Sequence, residues 1–200
     1  MADIRHFRIH DNAIRLSLRD VERELLTGFF RQVRAILLER AAEVGQSGLV
    51  DETARGDDAD SILANLESQS RPLPPPDDPA IARLLPSGRR DFSPQAGDSA
   101  IEFRRLTETD LRATKLNDAK RAGELVAMND VELTLEDANV LLRAINDVRL
   151  SLGARLDVAE NTEYPHEILT EQDQALAIYF WAGGMQEELL EVIIDIDPQI

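Results

Sequence analysis

The chain contains no cysteine, which excludes disulfides, thiolate metal sites and any sensing of oxidants by the protein's own thiols. It has no basic segment followed by an apolar run near Met1, and no apolar stretch approaches the length that crosses a bilayer. A cytoplasmic location without membrane contact is the expectation. Basic residues are in the minority, 22 Lys and Arg against 38 Asp and Glu, and none follows Arg155. A net charge of -16 repels phosphate backbones at long range, which argues against direct nucleic-acid binding and favours a basic protein partner. Also missing are a spacing that pairs a nucleophile with a base and a glycine-rich phosphate loop. No catalytic residue, cofactor or metal is therefore assigned.

What is present is helical periodicity. The 200 residues suffice for a sizeable core, and we read 1–200 as a single domain carrying a flexible insert or linker over 44–78. That insert opens with Gly45-Gln46-Ser47-Gly48, passes through Asp57-Asp58-Ala59-Asp60, and ends in the extended brace Arg71-Pro72-Leu73-Pro74-Pro75-Pro76. The fold class expected is mainly α: a multi-helix bundle with a small N-terminal β-hairpin and a mobile acidic, Pro-rich insert.

Phe7 and Ile9, then Ile14, Leu16 and Leu18, alternate about Asp11-Asn12 and predict the hairpin. Ser17-Leu18-Arg19-Asp20 reads as a capping box for a long helix bearing Leu25, Phe29, Val33 and Leu37, with Arg23, Arg31, Arg34 and Arg40 on a solvated face. Asp78-Pro79 starts a short helix. A further helix breaks near Thr107-Glu108-Thr109-Asp110, and its successor exposes Arg112, Lys115, Lys120 and Arg121. Val131 to Leu133 is extended, and Thr134 caps the helix that organises the chain. On that helix Leu141, Ile145, Val148, Leu152 and Leu156 fall on one arc, into which Arg149 also projects. A guanidinium there must snorkel out or find a carboxylate. The helix is expected to receive both the first long helix and the last.

Several residues suggest sites. His6 and His10 share a strand face but lack a third ligand, and the acidic run at Asp57 lacks calcium-loop spacing, so solvated or structural roles are favoured. Arg143, Arg149 and Arg155 lie about 120° apart around their helix and form no single basic stripe. Structural pairing with the eleven acids that follow Arg155 is the better reading. Gly153 permits close approach of another backbone. In the last helix, begun by Thr170-Glu171-Gln172-Asp173, Gly183-Gly184 admit a neighbour beneath Tyr179 and Trp181, aromatics that read as core before they read as a ligand box.

Leu84-Leu85-Pro86, Glu102-Phe103-Arg104-Arg105-Leu106-Thr107, Asp110-Leu111-Arg112-Ala113 and Gln186-Glu187-Glu188-Leu189-Leu190 form a pattern with the run from Leu142 to Leu156. The run carries Arg143, Asp147, Arg149, Gly153 and Arg155. Across almost the whole chain this resembles the AosR-like oxidative-stress regulator family of actinobacteria. The resemblance implies a mainly helical cytoplasmic protein that regulates transcription through protein contacts under redox stress. The family's named branch senses with a cysteine pair, which this chain lacks, so thiol switching is not carried over. Two readings follow. One is a non-enzymatic regulatory adaptor, with a protein partner, a transcription component among the candidates, and a homodimer as an alternative. The other is a small-ligand binder or enzyme with a pocket between the last two long helices, Arg143 or Arg149 holding an anion and Glu171 or Asp173 acting as acid or base.

Overall fold

The computed structural model describes residues 5–11, 13–46, 73–87, 94–128 and 130–197. The alternating amino-terminal stretch forms β1 (Phe7–His10) and β2 (Ala13–Leu16), antiparallel, with Phe7 opposite Leu16 and Ile9 opposite Ile14. Asp11, at φ 50°, takes the left-handed conformation that this residue type tolerates. The extended segment β3 (Val131–Leu133) pairs with β2, Ile14 facing Leu133 and Leu16 facing Val131. The expected hairpin is thus two strands of a three-stranded sheet, and Phe7, Ile14, Leu16 and Leu133 turn its buried face to the helices.

Five helices are described: α1 (Asp20–Glu43), α2 (Pro79–Leu84), α3 (Pro94–Ala127), α4 (Leu135–Arg155) and α5 (Glu171–Ile196). Three begin where side-chain caps predict. Asp78 accepts the amides of Ala80 and Ile81, Thr134 accepts that of Asp137, and Thr170 exchanges hydrogen bonds with Asp173. At α1 the expected cap is displaced. The Glu22 carboxylate accepts the Arg19 amide at 2.9 Å, while the Ser17 hydroxyl donates instead to Asp130 of the β3 approach at 3.0 Å. The other end of α1 closes on Gly45, whose φ of 70° suits a residue without Cβ. The Gln46 and Gly45 amides donate back to Ala41 and Ala42, the paired pattern of a Schellman stop. Residues 44–46, expected to open the mobile insert, are therefore a fixed cap that turns the Gln46 side chain inward. Residues 47–72 lie outside those described.

Helix α4 is central, with α5 on one side and α2 and α3 on others, and α1 lies chiefly along α3 rather than along α4 as expected. Buried Ala138, Leu141, Ala144, Ile145 and Val148 of α4 meet Leu116, Ala122, Leu125, Leu84, Met185 and Leu189 of its neighbours in one apolar core. The break expected near Thr107-Glu108-Thr109-Asp110 does not occur. The Thr107 hydroxyl donates to the Phe103 carbonyl one turn back, and Thr109 donates to Gln46, so neither caps a new helix.

Glu108 is where the charge reading fails most instructively. It is 2 % exposed, and three arginines converge on it: Arg40 of α1 at 2.8 Å, Arg104 at 3.2 Å and Arg112 at 3.3 Å. Arg40 and Arg112, expected on solvated faces, are 2 % and 1 % exposed. Further donors go to backbone and amide oxygens, Arg40 to Pro74, Arg104 to Leu85 and Arg112 to Gln46, and Arg40 also reaches the Glu43 carboxylate at 3.4 Å. Arg23, also expected on the solvated face, donates to the carbonyls of Val126 and Met128 at the end of α3, where helix carbonyls lack internal partners. Removing one partner of a buried ionic cluster costs about 3–5 kcal/mol because the other charges stay buried. Glu108→Ala should lose stability of that order in urea melts; a loss below about 1 kcal/mol would show that the cluster is not buried in solution.

Candidate functional site

The seam between α4 and α5 gathers Arg149, Gly153 and Gln186 from the sequence-predicted set. The Arg149 guanidinium crosses α5 at Gly183, where an added Cβ would stand 3.4 Å from its Nε. Tyr179 crosses α4 in the opposite sense at Gly153, where a Cβ would stand 3.2 Å from the ring. Arg149 and Gly153 are one turn apart on α4, as are Tyr179 and Gly183 on α5, so each helix offers the other one protruding side chain and one gap. The cation then lies 5.3 Å from the Tyr179 ring centroid. Its Nη1 donates to the Gln186 amide oxygen at 2.5 Å, and the Gln186 nitrogen in turn donates to Asn146 at 3.4 Å. The guanidinium in the apolar arc thus meets an amide and an aromatic face in place of the carboxylate expected. Gly153 does admit a close neighbour, but it is a side chain and not a backbone.

Arg143 and Asp147 point the other way, to α3. Arg143 grips Asp118 through two bonds of 2.7 and 2.9 Å, and Lys115 reaches Asp147 at 2.5 Å. Arg155 stands 3.7 Å from Asp78, both groups well exposed, a pair that contributes little. The partners found for Arg143 and Arg155 therefore precede these arginines in the chain. The tail beyond Arg155, expected to supply them, leaves its acids largely to solvent because the helix face bearing Arg143 is turned toward α3. Burial pushes the Asp147 carboxyl above the ordinary Asp range, with Lys115 opposing the shift.

Trp181 belongs to neither group. It is half-buried and lines a shallow groove of about 270 Å³ with Val21, Leu25, Ala177, Ile178 and Tyr164, to which Arg19 and Glu22 add the charged part of the lining. Behind it, His6 packs edge-on to Trp181 at 6.3 Å and sets its two ring nitrogens against Glu188 at 3.0 Å and Glu22 at 3.3 Å. Glu188 also accepts the Phe7 amide at 2.9 Å, which clasps β1 to α5. His10, at the end of β1, faces Asp11, and His6 lies just ahead of the strand, so the two histidines have separate neighbours. No group of three His, Asp or Glu suited to a metal ion occurs among the described residues.

A second concavity, about 340 Å³, lies where α2, α4 and the segment after α4 meet, and it is lined by Arg83, Asn146, Arg149, Asp157 and Tyr179. It contains Arg149 but not Trp181. The acid and base residues suggested for a pocket, Glu171 and Asp173, sit at the exposed start of α5. The Asp173 carboxylate is occupied by the Thr170 hydroxyl and the Leu169 and Thr170 amides, bonds that hold its pKa below the usual Asp value. A base role there would dismantle the helix cap.

The sequence pattern described as Domain of unknown function (DUF2017) matches residues 4–193. The proteins named oxidative stress regulator AosR from Mycobacterium tuberculosis and Mycobacterium bovis are 28% identical over 163 residues, 74% of this chain and 72% of theirs. The Mycobacterium leprae protein named putative oxidative stress regulator AosR is 28% identical over 131 residues, 58% of either chain. No solved structure matches. Among the described residues, no helix is long and apolar enough to cross a membrane.

Two measurements check the site. Gly28 and Gly184 have open space where a Cβ would go, so Gly28→Ala should gain about 1 kcal/mol of helix propensity. Gly153→Ala should forfeit that gain against Tyr179, and equal stabilisation by both variants would disprove the reciprocal packing. Because the folded-state pKa of Asp147 is raised, its contribution to stability is fully present below the unfolded Asp value and is lost as pH rises through the folded one. From about pH 3 to pH 7 the urea midpoint of the wild type should therefore fall relative to that of Asp147→Asn, and a difference between the two that stays constant with pH would refute the raised carboxyl.

Proposed function

The chain belongs to the DUF2017 family, and on that premise we propose that it is a non-enzymatic cytoplasmic regulator of an oxidative-stress response, acting on transcription through contact with another protein. The observation that carries the reading is the apolar surface left uncovered around Trp181. Val21 is 63% and Tyr164 55% exposed where they line the groove, and Ile168 and Leu169, just ahead of α5, are 50% and 79% exposed. Exposed apolar side chains grouped in this way support a surface that works in contact with another molecule. Three of the charged side chains suggested for chemistry, by contrast, are committed to the fold: Arg143 to Asp118, Arg149 to Gln186 and Asp173 to the cap at Thr170.

The relatives' name supports the stress assignment, and because this chain has no cysteine, redox sensing is assigned to a partner or an upstream protein. Deleting the gene in its native host should remove a set of oxidant-induced transcripts. Wild-type protein should restore them, and the surface variant Val21→Glu should not. A transcript profile that the deletion leaves unchanged under oxidant challenge would refute the regulatory role.

A further inference from the structure

We propose that the groove between the start of α1 and the first half of α5 receives a basic amphipathic helix of a partner protein, an assignment that rests on the regulatory reading above. The groove has the form that such a helix needs. Its walls are two helical stripes, Val21 and Leu25 on α1 and Ala177, Ile178 and Trp181 on α5, and α5 is packed on α4 rather than on α1, which leaves the space between the stripes open. An incoming helix inserts apolar side chains at i, i+3 or i+4, and i+7 into such a trough. Both stripes continue by one helical turn into glycines, Gly28 and Gly184, beside which there is open space. A partner can therefore approach the backbone at each of these glycines.

Charge decides what kind of helix fits. Asp20 and Glu24 are exposed on α1 beside the groove, and Glu163, Glu167 and Glu171 are exposed around Tyr164 and the start of α5. Nothing after Arg155 is Lys or Arg. The cations at the start of α1 are already engaged, Arg19 by Glu22 and Arg23 by the carbonyls of Leu18, Val126 and Met128. The rim is thus acidic and the floor apolar. A second copy of this chain would bring the same acidic rim against it, a like-charge contact, whereas Lys and Arg flanking an apolar stripe complement it.

Trp181 is the single tryptophan of the chain and reports directly on the groove. The intact protein would be titrated with a synthetic helical peptide carrying Leu on one face and Lys on the other, and with its twin in which Glu replaces Lys. The Leu–Lys peptide should give a saturable blue shift of Trp181 emission that weakens about tenfold as ionic strength rises from about 0.05 to about 0.5 M, and the Leu–Glu twin should give none. Val21→Glu should weaken binding at least about tenfold, while Leu106→Glu, on an exposed position of α3, should leave it unchanged. Equal response to both peptides, loss in both variants, or no shift with the Leu–Lys peptide would overturn the assignment. So would an emission shift that grows with protein concentration alone, which would make the occupant a second copy. If the peptide fails while Val21→Glu still abolishes the transcript response, the occupant is wrong and the regulatory reading stands. If the peptide binds as expected and deletion has no phenotype, the groove stands and the regulatory reading falls.

Discussion

One carboxylate holds three arginines out of water. Glu108 lies inside the bundle where α1, α3 and the segments on either side of α2 converge, and each of its arginines brings a different part of the chain with it. Arg40 carries the end of α1 and, through the Pro74 carbonyl, the stretch ahead of α2. Arg104 carries the Leu85 carbonyl after α2, and Arg112 carries Gln46 beyond the Schellman stop. A buried ionic group of this kind contributes little net stability over apolar packing of the same volume, but it is intolerant of any arrangement that leaves one member alone. Its effect is to fix register: α1 cannot slide along α3 without stranding a charge.

The α4–α5 seam obtains register by other means. There the exchanged side chains, Arg149 and Tyr179, each lie against a glycine of the opposite helix, Tyr179 close enough at Gly153 to crowd an added Cβ and Arg149 at contact distance from one at Gly183. A sliding motion of a single turn would drive both against side chains that the glycines omit. The two devices share α4 indirectly, since Arg143 and Lys115 tie it to the helix that bears Glu108. With α4 held from two sides, α5 is placed firmly enough for Trp181 and its stripe to keep a fixed distance from α1, which is what maintains an open groove.

Much of this architecture could be read from residues close together in the chain. Thr134, Asp78 and Thr170 announce helix starts through bonds to amides two or three positions away, and the alternation of Phe7, Ile9, Ile14 and Leu16 announces strands. The misreadings occur where partners are remote. Arg40 and Arg112 have the spacing of surface residues, and what buries them is a carboxylate 68 positions from Arg40 and an amide 66 positions from Arg112. One local sign was available: Arg104, Glu108 and Arg112 recur every four residues on a single helical face, a spacing that allows one acid to bridge two bases. The third strand was legible as extended backbone but not as part of the sheet, because its pairing with β2 joins residues over a hundred positions apart. In the site, Arg149 and Gly153 were recognised on α4, while Tyr179, Lys115 and Glu188 gained their meaning only from what the fold set opposite them.

The clasp between β1 and α5 has a kinetic meaning as well. The Phe7 amide and the Glu188 carboxylate are 181 positions apart, and Leu16 waits for Val131. Contacts of such sequence separation form late, because the entropy of closing the intervening loop opposes them until other structure has shortened it. As the chain emerges from the ribosome, the first two strands have no third strand to cover Leu16 and no partner for Phe7 until β3 and α5 have been synthesised. The first two strands are thus among the last elements to find their places, and the groove beside α1 is completed only when the helix opposite has been built.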